Sequence, residues 1–219
     1  MIKAVIITAA GSSSRMKGKG KKELKLIKGR TVLERAVLPF VLSEQFDHIC
    51  VTYPEGKKEE MEKALHRINF PISYIQGGDS RQSSVYNALV TLKDLKSDLV
   101  LIHDGARPHI SEKLIDRVLE GTIQRGNSTP VTGSISAMKI LNPLGDIVQH
   151  LVRSSTVSAQ TPQGFSYPEI LEAHEKARID KKVFIDDSEI WSSYIGPSHT
   201  VEGDPENTKI TYPEDLKVK

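Results

Sequence analysis

Short runs rich in β-branched residues alternate with longer stretches of helical periodicity through the first half of the chain. The strand-length runs are AVIIT near the start, HICVTY from His48, ISYI from Ile72 and DLVLIH from Asp98. Between and after them, TVLERAVLPFVLS, KKEEMEKALHRI, SSVYNALVTLKDL and SEKLIDRVLEGTIQRG repeat apolar residues at helical spacing. Ser111, followed by a glutamate, suits the start of the last of these helices. Strands separated by helices must cross over, so they pair in parallel and are buried on both sides. The order predicts an α/β fold: a three-layer, Rossmann-like, mostly parallel twisted sheet with helices on both faces.

The pattern changes from Ser134 to Ser155, where two short alternating runs flank the turn sequence NPLGD at 142–146. This predicts a β-hairpin that interrupts the α/β series. A lone hairpin is marginal in water, so residues 134–155 either pack as an extra sheet on their own domain or extend as an arm to a second subunit. A partner is the favoured expectation. Beyond it, YPEILEAHEKARI and SEIWSSYIG read as helices, HTVEG as a short strand, and KITYPEDLKVK closes the sequence.

At 219 residues, 38% hydrophobic and 26% charged, the chain is expected to fold as one domain over residues 1–219. A formal net charge of +2 argues by itself for neither nucleic acid nor membrane as a partner. With 5% aromatics and no stacking pattern, nucleic-acid binding is set aside. The one cysteine, Cys50, reads as a small buried hydrophobe, and the seven histidines show no metal-ligand spacing. No apolar run of about 18 residues and no secretory pattern is present, which leads us to expect a soluble, cytoplasmic protein. Ser83, Ser84 and Ser154 lack a histidine partner in the sequence, so a serine nucleophile is not expected.

Ligands of parallel α/β sheets bind beyond the carboxyl ends of the strands, which puts weight on three loops. The first, TAAGSSSRMKGKGKKELKL from Thr8, opens with small residues that let backbone N–H groups approach an anion, then brings Arg15 and Lys22. It is neither a Walker A loop, since Gly20 is followed by Lys21, Lys22 and Glu23, nor a dinucleotide fingerprint, since Gly18 and Gly20 are not followed by a third glycine three residues on. Six lysines from Lys17 to Lys28 would ordinarily be a solvated surface, and only their placement after the first strand suggests more. The second loop, QGGDSRQSSV, sets Gly77, Gly78, Asp79 and Arg81 before Ser83 or Ser84 at a helix start, which suits either an anion or a plain N-cap. The third, HDGARP, follows the most apolar strand with Asp104 and Arg107, a pair suited to a sugar hydroxyl, a metal-bound phosphate or an internal ion pair. His103 beside them reads as a structural strand-end residue.

AAGSSSRM, KKE, GGDSRQSSV, HDGARP, VRSS, QTPQGF, DDSEI and GDPENTKITYPEDL occur in that order along the chain. Together they resemble the cytidylyltransferases that join CTP to 2-C-methyl-D-erythritol 4-phosphate in isoprenoid precursor synthesis. The resemblance implies that Ala9, Ala10, Gly11 and Ser13 wrap CTP, that Gly78, Asp79 and Ser84 read the cytosine with Gly105 nearby, and that Arg15 and Lys22 stabilise charge at the α-phosphate. It implies that Asp104 and Arg107 meet substrate hydroxyl and phosphate groups, and that Arg153, Thr161 and Lys209 grip the attacking sugar phosphate. It further implies a Mg²⁺ ion bridging the triphosphate with Asp104 as its protein ligand, and a homodimer in which Arg153 reaches the neighbouring site from the base of the arm.

Relative to that family's usual pattern, Ser13 replaces glycine, Lys21 proline, Glu23 glutamine, Ala137 threonine, Asp186 threonine and Gly105 alanine. Ser13 is expected to be tolerated with a negative φ, and the loss of proline to leave the lysine-rich turn less rigid. Within the first loop, lysines other than Lys22 are expected only to steer and solvate. Two alternatives stay open: a cytidylyltransferase for another polyol phosphate such as ribitol 5-phosphate, and a non-catalytic CTP-binding regulatory protein. The joint presence of Arg15, Lys22, Arg153 and Lys209 speaks against the second.

Overall fold

The computed structural model describes residues 1–16 and 20–217, so Lys17 to Lys19 of the basic run lie outside it. Its strands are β1 Lys3–Thr8, β2 Leu26–Ile27, β3 Arg30–Thr31, β4 His48–Tyr53, β5 Ile72–Gln76, β6 Leu99–Asp104, β7 Asn127–Gly133, β8 Lys139–Leu141, β9 Ile147–His150, β10 Val157–Ala159, β11 Gln163–Ser166 and β12 Thr200–Glu202. The helices are α1 Val32–Leu42, α2 Lys58–Ala64, α3 Arg81–Thr91, α4 Glu112–Arg125, α5 Tyr167–Ile179 and α6 Asp187–Tyr194. The main sheet runs β10-β7-β11-β6-β1-β4-β5, with β12 also on β7. Strands β5, β4, β1 and β6 are mutually parallel, β12 is parallel to β7, and the antiparallel pairings are those of β11 and β10.

Continuous apolar runs in β1 and β6 have a direct reading in the packing. Val5, Ile7, Val51 and Leu101 point to one face and meet Leu33, Val37 and Phe40 of α1 and Leu114, Ile115 and Val118 of α4. Ala4, Ile6, Val100 and Ile102 point to the other and meet Val85 and Leu89 of α3, Ile170 of α5, and Ile190 and Trp191 of α6. Both faces are therefore dry, which is why these strands do not alternate. Cys50 lies in the second core, and burial pushes its thiol up to about 12, so it is an inert apolar filler.

Besides the short β2, β3 and β10, two strands of the main sheet that carry no apolar period have no counterpart in the sequence reading. β7 is NSTPVTG, and β11 is QGFS, with one large apolar residue, Phe165, stacked on Trp191 at 5.6 Å. Gly164 in β11 is fixed by the helix above it, since a Cβ there would fall 2.1 Å from Thr122 Oγ1. Close packing of α4 on the sheet dictates that residue. The helix starts also shift: Ser80, not Ser83 or Ser84, caps α3, accepting from Ser83 N–H at 3.0 Å. Ser111 precedes α4 but turns its hydroxyl to Asp204 at 3.1 Å instead of capping.

The hairpin forms as its pattern predicts. β8 and β9 pair with each other, and Asn142 closes the turn by accepting from Leu144 and Asp146 N–H groups at 3.0 and 2.9 Å. Their apolar side chains do not become part of the domain core: Leu141, Leu144, Ile147 and Val148 are all exposed. Of the two arrangements open to it, packing as an extra sheet on its own domain is not the one seen. No helix among the described residues is long and apolar enough to cross a membrane.

Candidate active site

β1 sits between β4 and β6, so the chain crosses to opposite sides of it and leaves a crevice at the strand ends. There the loops after β1, β4, β5 and β6 and the segment around Lys209 enclose a cavity of about 540 Å³. Glycine lets two of the loops close together: a Cβ on Gly77 would fall 2.3 Å from Ala10 Cβ and 2.7 Å from Ser84 Oγ. Ser84 braces that turn, donating to Ser80 O at 2.7 Å and accepting from Gly78 N–H at 3.1 Å.

Asp104, at the end of β6, organises the floor. Its carboxylate takes Lys209 Nζ at 2.8 Å, Arg107 Nε at 3.3 Å and Arg81 Nε at 3.6 Å. Burial alone would raise its pKa, but Lys209, Arg81 and Arg107 outweigh burial and hold it well below the usual carboxylate range. Arg81 continues to Asp187 at 2.8 Å, an ion pair whose Nη2 is not aligned for a hydrogen bond, and Asp187 meets His174 Nε2 at 3.1 Å. Asp187 is likewise held low: burial opposes the charge, and Arg81 and His174 overcome it. Lys209 is delivered by a strap, since Ile210 N–H donates to Ala106 O at 2.8 Å and Arg107 Nη1 to Asn207 O at 2.7 Å.

Beneath Asp104, Thr161 Oγ1 accepts from the Asp104 N–H at 3.0 Å and lies 3.1 Å from His103 Nδ1. His103 Nε2 faces the Arg107 carbonyl at 3.3 Å, which can only accept. The proton therefore sits on Nε2, and Nδ1 accepts from Thr161. Complete burial lowers the His103 pKa to about 4, so the ring is neutral.

The structure brings Ala10, Gly11, Ser13, Arg15, Lys22, Gly78, Asp79, Ser84, Asp104 and Lys209 to the cavity wall. Ala9 is buried behind it, its N–H on Thr52 Oγ1 at 3.0 Å, and Arg107 and Thr161 support Asp104 from the side and below. Gly105 is packed against β1, where a Cβ would lie 3.1 Å from Thr8 O and 3.2 Å from Leu33 Cδ1. Arg153 stands apart on the exposed base of the hairpin, its Nε donating to Ser134 O at 3.3 Å. Arg81, Thr52 and Thr211 line the cavity and were missing from the sequence-based set. Arg81 was legible in GGDSRQ; Thr52 is hidden inside an apolar strand.

The profile of the family described as IspD, 2-C-methyl-D-erythritol 4-phosphate cytidylyltransferase, matches residues 3–219. The chain belongs to this family. A cytidylyltransferase of that name from Bacillus pumilus is 33% identical over 98% of this chain and 93% of its own. Its namesake from Clostridium beijerinckii is 34% identical over 99% and 95%. A bifunctional IspD/IspF enzyme from a Chelativorans species is 34% identical over 97% of this chain, which spans only 53% of it. Among solved structures, the 4-diphosphocytidyl-2C-methyl-D-erythritol synthase of Anaerococcus prevotii superimposes with a TM-score of 0.87 at 27% identity, covering 98% of this chain and 94% of its own. The Thermus thermophilus cytidylyltransferase gives 0.81 at 30% identity, covering 99% and 96%.

Within this IspD fold the unusual residues of the first loop form one connected group, and two expectations are overturned. Ser13 has a φ of +53°, not a negative one. That left-handed geometry costs a non-glycine residue roughly 1–2 kcal/mol. It is offset by its hydroxyl, which donates to Glu23 Oε2 at 3.2 Å and accepts from Lys22 N–H at 3.4 Å. Lys21 does not merely steer and solvate. Its ammonium donates to Ala9 O and Gly11 O, both at 2.7 Å, and pairs with buried Glu23 at 3.7 Å. Lys22 faces the cavity, and its pKa is lowered first by burial and then by Lys209 and Arg15, against Glu23 and Asp104.

Neutral His103 makes stability pH-dependent. Its folded pKa lies below its unfolded value of 6.5, so its contribution is complete above about 6.5 and is lost as pH falls toward about 4. Urea unfolding should show the protein losing at least about 2 kcal/mol more than His103→Gln between pH 7 and 4.5, from a shift of this size at about 1.4 kcal/mol per unit. Parallel losses in the two proteins would contradict the assignment.

Proposed function

We propose that the protein transfers the cytidylyl group of CTP to 2-C-methyl-D-erythritol 4-phosphate, releasing pyrophosphate, in the non-mevalonate route to isoprenoid precursors. One observation carries the assignment of roles: Arg15, Lys22 and Lys209 line one cavity together with the small residues Ala10 to Ser14 of the loop after β1. The acceptor's phosphate oxygen is the nucleophile. It forms a bond to the α-phosphorus of CTP as the bond from that phosphorus to the β-phosphate oxygen breaks, and pyrophosphate leaves with that electron pair.

No protein nucleophile is required, and catalysis reduces to in-line placement and fixed positive charge. Ala10, Gly11 and Ser13 hold the triphosphate, with Ala9 beneath them. Gly78, Asp79 and Ser84 hold the base, and Gly105 lets the loop after β6 pack close by. Arg15 and Lys22 balance the charge that builds at the α-phosphate. Lys209 meets the acceptor phosphate, oriented by Asp104, while Thr161 and Arg107 hold that carboxylate from behind instead of reaching the substrate. A triphosphate beside Lys22 would favour its charged form, against the burial that lowers its pKa.

Mg²⁺ with CTP supplies charge neutralisation on the phosphates. Asp104 is a poor direct ligand for it, because three cationic side chains already surround that carboxylate. Mg²⁺ would therefore be held chiefly through the nucleotide it accompanies and not by this carboxylate. The exposed apolar arm and the remote Arg153 support a homodimer in which each arm completes the partner's acceptor site. A cytoplasmic location fits this reaction.

Pyrophosphate release should follow from CTP with methylerythritol phosphate, and far more slowly with ribitol or erythritol phosphate; no release with any acceptor would contradict the reading. Lys22→Ala should lower kcat by about 10²–10³-fold, the usual loss on removing one transition-state donor, and raise the CTP KM much less. Equal effects on both would contradict the role. Removing residues 140–149 should convert dimer to monomer by light scattering, and an unchanged dimer would show that the interface lies elsewhere.

A further inference from the structure

Lys21 is next to Lys22 in sequence but does not line the cavity. It stands behind the loop after β1, its side chain 11% exposed, with its ammonium on the carbonyls of Ala9 and Gly11. A trans peptide points its C=O and the following N–H in opposite directions. Drawing Ala9 O and Gly11 O to one cation therefore turns the N–H groups of Ala10 and Ser12 the other way. Ala10 and Ser12 both line the cavity, and among the described residues neither N–H meets a protein acceptor. Successive N–H groups presented to one concave space form an anion-binding nest.

We propose that Lys21 is a positioning residue that aims the Ala10 and Ser12 N–H groups at the nucleotide's phosphates by holding the opposite ends of their peptides. This rests on the reading of the cavity as the CTP site. Glu23 completes the device. It is 2% exposed, pairs with Lys21 at 3.7 Å and accepts from Ser13 at 3.2 Å, so the cation that orients the loop is matched by a buried carboxylate at the edge of the cavity. Lys21 and Lys22 thus divide the work: one shapes the phosphate cradle from outside, the other supplies charge from within. Desolvation lowers the Lys21 pKa, and the Glu23 carboxylate opposes that.

A purely structural role is separable from this one. Lys21→Met strands the buried Glu23 carboxylate and should lower the melting temperature; Lys21→Met/Glu23→Gln removes both charges and should restore it. If Lys21 aims the peptides, phosphate affinity will not return with stability. Calorimetric binding of inorganic tripolyphosphate, which needs no turnover, should weaken about tenfold or more in both variants, as expected for losing charge-assisted hydrogen bonds. The CTP KM should rise in parallel while kcat falls less than about threefold, and Lys21→Arg, with two donors and a permanent charge, should stay within about threefold of the unsubstituted protein. If Lys21→Met does not fold, the double variant and Lys21→Arg carry the comparison. Tripolyphosphate affinity that recovers in the double variant, or never changes, overturns the inference. Tripolyphosphate binding without CTP turnover in the unsubstituted protein would overturn the functional reading and leave this one standing.

Discussion

The buried carboxylate of Asp104 is the point on which the site is built. Three cations from three different segments meet it: Arg81 from the start of α3, Arg107 from the turn after β6 and Lys209 from the C-terminal strap. These are a helix start, a turn and an extended strap, and the connecting segments among them are otherwise the less stable parts of a fold. Removing one partner from a buried ion cluster costs about 3–5 kcal/mol, because the remaining charges are left without water or counter-charge. The cluster is thus less a source of net stability than a device that forbids the loops from separating. It extends through Arg81 to Asp187 and His174, which ties the crevice to α5 and α6.

Around this fixed floor the chain gathers positive charge without collapsing it onto protein acids. Asp104 is held ionised and fully matched, leaving Arg15 and Lys22 to face a negatively charged ligand. Burial is the main cause that lowers the Lys22 pKa, with Lys209 and Arg15 adding to it and Glu23 and Asp104 opposing it. Under the proposed function these cations are in place before the phosphates arrive, as electrostatic preorganisation requires. Below the floor, neutral His103 links Thr161 to the Arg107 carbonyl and keeps the β6 turn in register with β11 without adding a charge.

Much of this was visible in the residues. Apolar runs on consecutive positions announced buried parallel strands, and β1, β4, β5 and β6 stand where they were expected. The turn sequence at 142–146 announced the hairpin. What escaped was governed by contacts between distant segments. β7 and β11 carry Ser, Thr and Gly because α4 presses closely on both and other strands flank them, so no period marks them. Arg81 was noticed as a loop residue, but its pairing with Asp104 and Asp187 spans chain separations that spacing does not encode. Ser13, Lys21 and Glu23 looked like three separate departures from the family pattern. In three dimensions they are one hydrogen-bonded group, in which a serine accepts a left-handed backbone because its hydroxyl is bonded on both sides.

The central claim is that one carboxylate holds three loops, and amide hydrogen exchange on Asp104→Asn tests it most directly. The account predicts faster exchange in residues 78–84, 105–111 and 207–211 together, with β4 and β5 unchanged. Acceleration confined to the turn around residue 104, with the α3 start and the C-terminal strap still protected, would contradict it.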